Sequence, residues 1–138
     1  MVKVIFSARY ENLAQIREFV VQAARNAGFN QKDVYAIELA VDEAFTNIIE
    51  HAYGGEGIGD IECHCDFEQG ELIITLQDRG QPFNPEGIPE PDFSVGIEKL
   101  KPRGAGLYIM KKMMDKIEYS RDRQGRNILV MTKSKPVA

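Results

Sequence analysis

The chain has 138 residues, of which 43% are hydrophobic and 28% charged, and a net charge of -4. That is one domain of sequence, long enough to bury about two thirds of its unfolded surface without staples and too apolar for a disordered chain. The acidic balance, with basic residues only in short patches (Lys99, Lys101 and Arg103; Lys111 and Lys112; Arg121, Arg123 and Arg126), argues against direct nucleic-acid binding.

Residues 2–7 read as a strand. The polar residues that follow Phe6 do not fit a secretory signal, and no apolar run approaches the ~20 residues of a membrane span. The expectation is a cytoplasmic protein with reduced thiols and no membrane partner. Residues 11–27 read as a helix, because Leu13, Ile16, Val20, Ala23 and Ala27 recur at helical spacing. Asn12 with Gln15 predicts a capping box, and Gly28 a stop. A second helix is predicted from just after Asn30, with Asp33 in its first turn, to about Tyr53 before Gly54 and Gly55.

Residues 60–67 and 71–78 read as two strands of a hairpin around Glu68-Gln69-Gly70. Ile61, Cys63, Cys65 and Phe67 alternate with Glu62, His64 and Asp66. Strand parity therefore puts both cysteines on the apolar face and His64 on the other, which predicts core cysteines rather than a metal site. Five of the six prolines (Pro82, Pro85, Pro89, Pro91, Pro102) then fall in one stretch without regular structure. So long a loop in so small a domain is usually functional or disordered. A third helix is predicted near Gly104-Ala105-Gly106, with Leu107, Met110, Met114 and Ile117 on one face. Residues 117–123 and 127–133 read as a last hairpin around Gln124-Gly125. The expected fold class is α+β: a two-layer sandwich of one mixed, mostly antiparallel sheet covered by three helices, in a single domain over 1–138.

The second helix has two unlike faces. At 100 degrees per residue, Val34, Ile37, Val41, Phe45, Ile48 and Ala52 form the core stripe. Glu43, Asn47 and His51 lie at i, i+4 and i+8 on another side, with Ala36 and Ala40 between the two. A solvated face is usually built from Lys, Glu and Arg in i,i+4 pairs. Here no cation sits four residues from Glu43. A pocket wall is the other reading: the carboxylate can take a proton, and the amide oxygen can ligate a hard cation such as Mg2+.

In the strand 71–78, Asp78 shares parity with Leu72, Ile74 and Leu76 and so points inward, which is costly unless something pairs with it. A carboxylate there can accept a hydrogen bond from an exocyclic amine, and Gly80 would let a flat ring approach the backbone. A plain turn is the alternative. Downstream, Arg103-Gly104-Ala105-Gly106-Leu107 opens a helix where free N–H groups can meet phosphate oxygens. It is neither a P-loop nor a dinucleotide fingerprint.

The order of these features resembles the ATP-binding domain of the GHKL superfamily. The "DEAFTNIIEHAY", "DRGQPFNP" and "RGAGLYIMKKMMD" segments look most like bacterial anti-sigma factor serine/threonine kinases. The resemblance implies ATP and Mg2+ as cofactors, with Asn47 as the Mg2+ ligand and Glu43 as general base. It implies Asp78, with Gly80 beside it, as the adenine site. Residues 84–102 would be the lid over the triphosphate. Gly104 and Gly106 would contact phosphates, with Leu107 next to them, and Arg103 would sit near the terminal phosphate. Thr46 and His51 lie in the motif; for His51 a cap or supporting hydrogen bond competes with a catalytic role. The implied partners are a STAS-domain anti-anti-sigma protein, whose serine or threonine is phosphorylated, and a sigma factor. A homodimer is also implied. The competing function is a nucleotide-gated binding module with little or no transfer.

Overall fold

The computed structural model describes residues 2–82 and 109–135. The lid 84–102 and the site residues Arg103, Gly104, Gly106 and Leu107 lie outside them.

Strand β1 (Val2–Ser7) is followed by a 3-10 turn (Tyr10–Asn12) and helix α1 (Leu13–Asn26). The predicted capping box does not form. Asn12 has helical backbone angles, its side chain caps nothing, and its Nδ2 donates instead to the Ser7 carbonyl at 2.8 Å. The 3-10 turn leads straight into the helix, with the Leu13 N–H donating to the Tyr10 carbonyl. Helix α2 (Gln31–Asn47) does start at the predicted Asn30, whose side chain accepts from the Asp33 N–H at 2.8 Å. It runs on through a π-helical turn (Ile48–Tyr53) and stops at Gly54.

Strands β2 (Asp60–Glu68) and β3 (Glu71–Asp78) join through Gln69 and Gly70, both at positive φ (51° and 77°). That pair makes the two-residue turn whose twist matches a hairpin. A helical segment over 109–113, α3, leads to β4 (Lys116–Arg121) and β5 (Asn127–Ser134). β4 ends earlier than 117–123 predicts. Asp122 instead folds its carboxylate over the turn, accepting from the Gln124 and Arg126 N–H groups.

The sheet order is β1-β2-β3-β5-β4, and all four pairings are antiparallel. The parallel element of the expected mixed sheet is absent from the described residues, because β5 enters beside β3 rather than beyond β4. One face of the sheet carries the core. Ile61, Cys63, Leu72, Ile74, Leu76 and Met131 are buried there against Ile16 and Val20 of α1 and Ile37, Val41 and Phe45 of α2. Burying such side chains is worth roughly 1.5–3 kcal/mol each. Both cysteines are buried and unbridged on this face. His64 is on the other, 3.0 Å from Glu62. The architecture is the expected α+β two-layer sandwich. Among the described residues no helix is long and apolar enough to cross a membrane.

Candidate functional site

Helix α2 brings Glu43 and Asn47 one turn apart. Ala36, Ala40 and Ala44 on the same helix are buried. Asn47 is only 3% exposed, so it does not belong to a solvated face. Its Nδ2 lies 3.7 Å from the Met110 Sδ of α3, a weak bond that turns the amide oxygen the other way. Among the described residues that oxygen accepts no hydrogen bond, which fits the donor a hard cation needs. Glu43 is half-buried. Burial first, then the neighbouring carboxylates of Asp42 and Glu50, hold its pKa above the ordinary glutamate range. Asp42 is itself gripped by Arg17 of α1 through two 3.0 Å bonds from Nε and Nη2. Thr46 and His51 sit on the same continuous helix, His51 within the π-helical turn.

The second half of the site is the end of β3. Asp78 is 5% exposed and faces the core, as its parity predicts. Its Oδ1 accepts from Asn127 Nδ2 at 2.8 Å and from the Gly80 N–H at 2.9 Å. Burial pushes its carboxyl up; the bonds from Asn127 and Gly80 and the charge of Arg121 push back. Gly80 packs on the end of α2, where the Gln81 N–H donates to the Ala52 carbonyl at 2.7 Å. Tyr53 locks the same corner. Its hydroxyl donates to the Asp60 carbonyl at 2.5 Å and accepts from the Arg79 N–H at 3.0 Å.

The two halves meet. Asn47, Asp78, Met110 and Tyr119 line a cavity of about 10 Å³, at the lower limit for one water. On its other side Asp78 opens on a cleft of about 880 Å³ bordered by Tyr53, Gly80, Arg121 and Arg126. Ile5, Glu62 and Gln77, on the sheet face away from α2, also line this cleft, so it is distinct from the space between α2 and the end of β3. No group of three or more metal-ligating side chains occurs among the described residues.

A family model, the histidine kinase-like ATPase domain, matches residues 6–133.

The chain belongs to that family.

It is 34% identical over 130 residues to the serine-protein kinase RsbW of Halalkalibacterium halodurans, covering 91% of this chain and 78% of that one. Among solved structures it is similar to the RsbU and RsbW domains of a Mycobacterium tuberculosis protein, with a TM-score of 0.67 and 15% identity. That match covers 100% of this chain and 34% of that one, so this chain spans about a third of the solved chain. The nucleotide-free catalytic domain of the histidine kinase ThkA is also similar, with a TM-score of 0.56 and 15% identity over 98% of each chain. These structures speak for the fold. The curated relatives speak for the activity: the chain is an enzyme of the ATP-using serine-protein kinase class.

One member of the site was not found from the sequence. Asn127 opens β5 at 1% exposure, and no motif marks it. Its parity with Leu129 and Met131 was the available signal: an amide on a core face at a strand end.

Proposed function

We propose that the chain binds Mg-ATP between α2 and the end of β3 and transfers the γ-phosphate to a serine or threonine of a STAS-domain anti-anti-sigma partner. In this reading the same enzyme holds a sigma factor and releases it when unphosphorylated partner arrives, all in the cytoplasm.

One observation carries the reading. A half-buried carboxylate with a raised pKa stands one helical turn from a buried amide, and that amide shares a cavity wall with a buried carboxylate at a strand end. A bare scaffold has no need of three such costly groups. Asp78 accepts a hydrogen bond from the adenine amine. Glu43 accepts the proton of the attacking hydroxyl as its oxygen bonds to the γ-phosphorus and the bond from that phosphorus to the β–γ bridging oxygen breaks, releasing ADP; its raised pKa brings it nearer the working pH of a base. Asn47 Oδ1 would hold Mg2+, which when bound supplies positive charge against the phosphates. Arg103, Gly104, Gly106 and Leu107 complete the proposal on the phosphate side, where charge develops during transfer.

The test is radiolabel transfer from γ-labelled ATP to a STAS-domain protein, with ATP affinity measured in parallel. Labelling of a serine or threonine supports the reading. Partner binding that responds to ATP without any labelling would instead favour a nucleotide-gated binding module.

A further inference from the structure

Asn127 sits at the centre of a hydrogen-bond network that joins three separate pieces of chain. Its Nδ2 has two N–H groups and three oxygens within reach: Asp78 Oδ1 at 2.8 Å, and the Gly80 and Gln81 carbonyls at 3.1 Å each. Its Oδ1 faces two donors, the Tyr119 hydroxyl at 3.1 Å and Arg121 Nη1 at 3.3 Å. Three acceptors on one side and two donors on the other leave a single sensible orientation for the amide. The backbone ladder fixes the alignment, since Asp78 and Asn127 are direct cross-strand partners in β3 and β5.

The consequence falls on Asp78. Both donors to its carboxylate, Asn127 Nδ2 and the Gly80 N–H, converge on Oδ1. Among the described residues Oδ2 receives none. The carboxylate is thus held in one rotamer, with one oxygen saturated and the other left as a bare acceptor. A bare acceptor suits an amino group and repels a carbonyl oxygen. The network also fixes the 80–81 carbonyls that border the cleft.

We propose that Asn127 is a positioning residue that sets base specificity: it holds Asp78 so that a 6-amino purine is accepted and a 6-oxo purine is rejected. The proposal rests on the reading of Asp78 as the base site. Losing the Asn127 amide leaves Asp78 free to turn or to take up a proton, and a protonated carboxyl can donate to a 6-oxo group. Discrimination then falls, which a purely structural defect would not cause.

The experiment measures ATP and ITP affinity for wild type, Asn127→Ala, Asn127→Ser and Asp78→Asn, with melting curves for each. Asn127→Ala is expected to weaken ATP about tenfold, the usual cost of a buried partner lost, and to bring the ATP to ITP affinity ratio toward one. Asn127→Ser, which keeps a short donor, is expected to restore part of the ratio and covers the case in which the alanine variant fails to fold. An unchanged ratio in both folded variants, or equal losses for ATP and ITP, would overturn the proposal. Asp78→Asn separates the two levels. If it leaves ATP affinity intact, the base-site reading itself fails. If it weakens ATP while the Asn127 variants keep the wild-type ratio, only the role of Asn127 fails.

Discussion

Gly80 lies so close to Ala52 that a Cβ added to it would fall 2.5 Å from both the carbonyl carbon and the carbonyl oxygen of Ala52. The contact joins the loop after β3 to the π-helical end of α2. It explains the glycine in terms of the protein's own backbone: the room saved by the missing side chain is filled by the Ala52 peptide. The Ala52 carbonyl then accepts the Gln81 N–H.

Gly80→Ala therefore forces the two elements apart. Overpacking of this kind costs about 1–3 kcal/mol. Melting curves should show the loss, and ATP affinity should fall with it because Asp78 and the loop move together. An unshifted melting temperature would mean that the corner yields more easily than this packing implies.

Glu43 sets two pH dependences. Its pKa is raised in the fold, so the folded state favours the protonated form. Its contribution to stability is greatest at low pH and is lost as pH rises through its ionisation. Glu43→Gln should flatten that slope in pH-dependent unfolding. Transfer has the opposite sign, because a base works only when ionised. The rate should rise with pH, with a midpoint above the ordinary glutamate range.

Arg17 acts on the same midpoint at one remove. It partly neutralises Asp42, whose charge helps to raise Glu43. Arg17→Met should move the pH-rate midpoint of transfer upward. The stability cost should be modest, about 0.2–1 kcal/mol, since the pair is partly exposed. A midpoint that stays in place would show that Asp42 is screened from Glu43.

Asn47→Ala removes the amide oxygen that has no partner among the described residues. ATP affinity in the variant should no longer respond to added Mg2+, while metal-free binding changes little. Titrations with and without Mg2+ check this directly; a preserved Mg2+ response would take Asn47 out of the cation site.

Much of the helix and strand pattern was legible in the sequence because burial follows simple periods. The stripe from Val34 to Ala52 is buried, and strand parity placed Cys63, Cys65 and Asp78 on the core face. The failures have local causes. Asn12 looked like a cap, but the preceding 3-10 turn spent its side chain on Ser7. Asp122 looked like strand, but its carboxylate preferred the turn. Asn127 was missed because its partners are Asp78 and two loop carbonyls 46 to 49 residues away, a relation that no spacing rule encodes. The π-helical turn was also invisible. A helix pattern carried to Tyr53 says nothing of the widened turn at its end, where Ala52 accepts the Gln81 N–H.

The most direct measurement compares wild type with Glu43→Gln for transfer of labelled γ-phosphate from Mg-ATP to a STAS-domain partner, alongside ATP affinity. The expected result is labelling of a serine or threonine by wild type, and ATP binding by the variant within a few-fold of wild type. Transfer by the variant should be slower by about 100-fold to 10,000-fold, the range for loss of a general base. Transfer at the wild-type rate by Glu43→Gln would contradict the assignment of the base, and no labelling by a wild type that binds both ATP and the partner would contradict phosphoryl transfer to that partner.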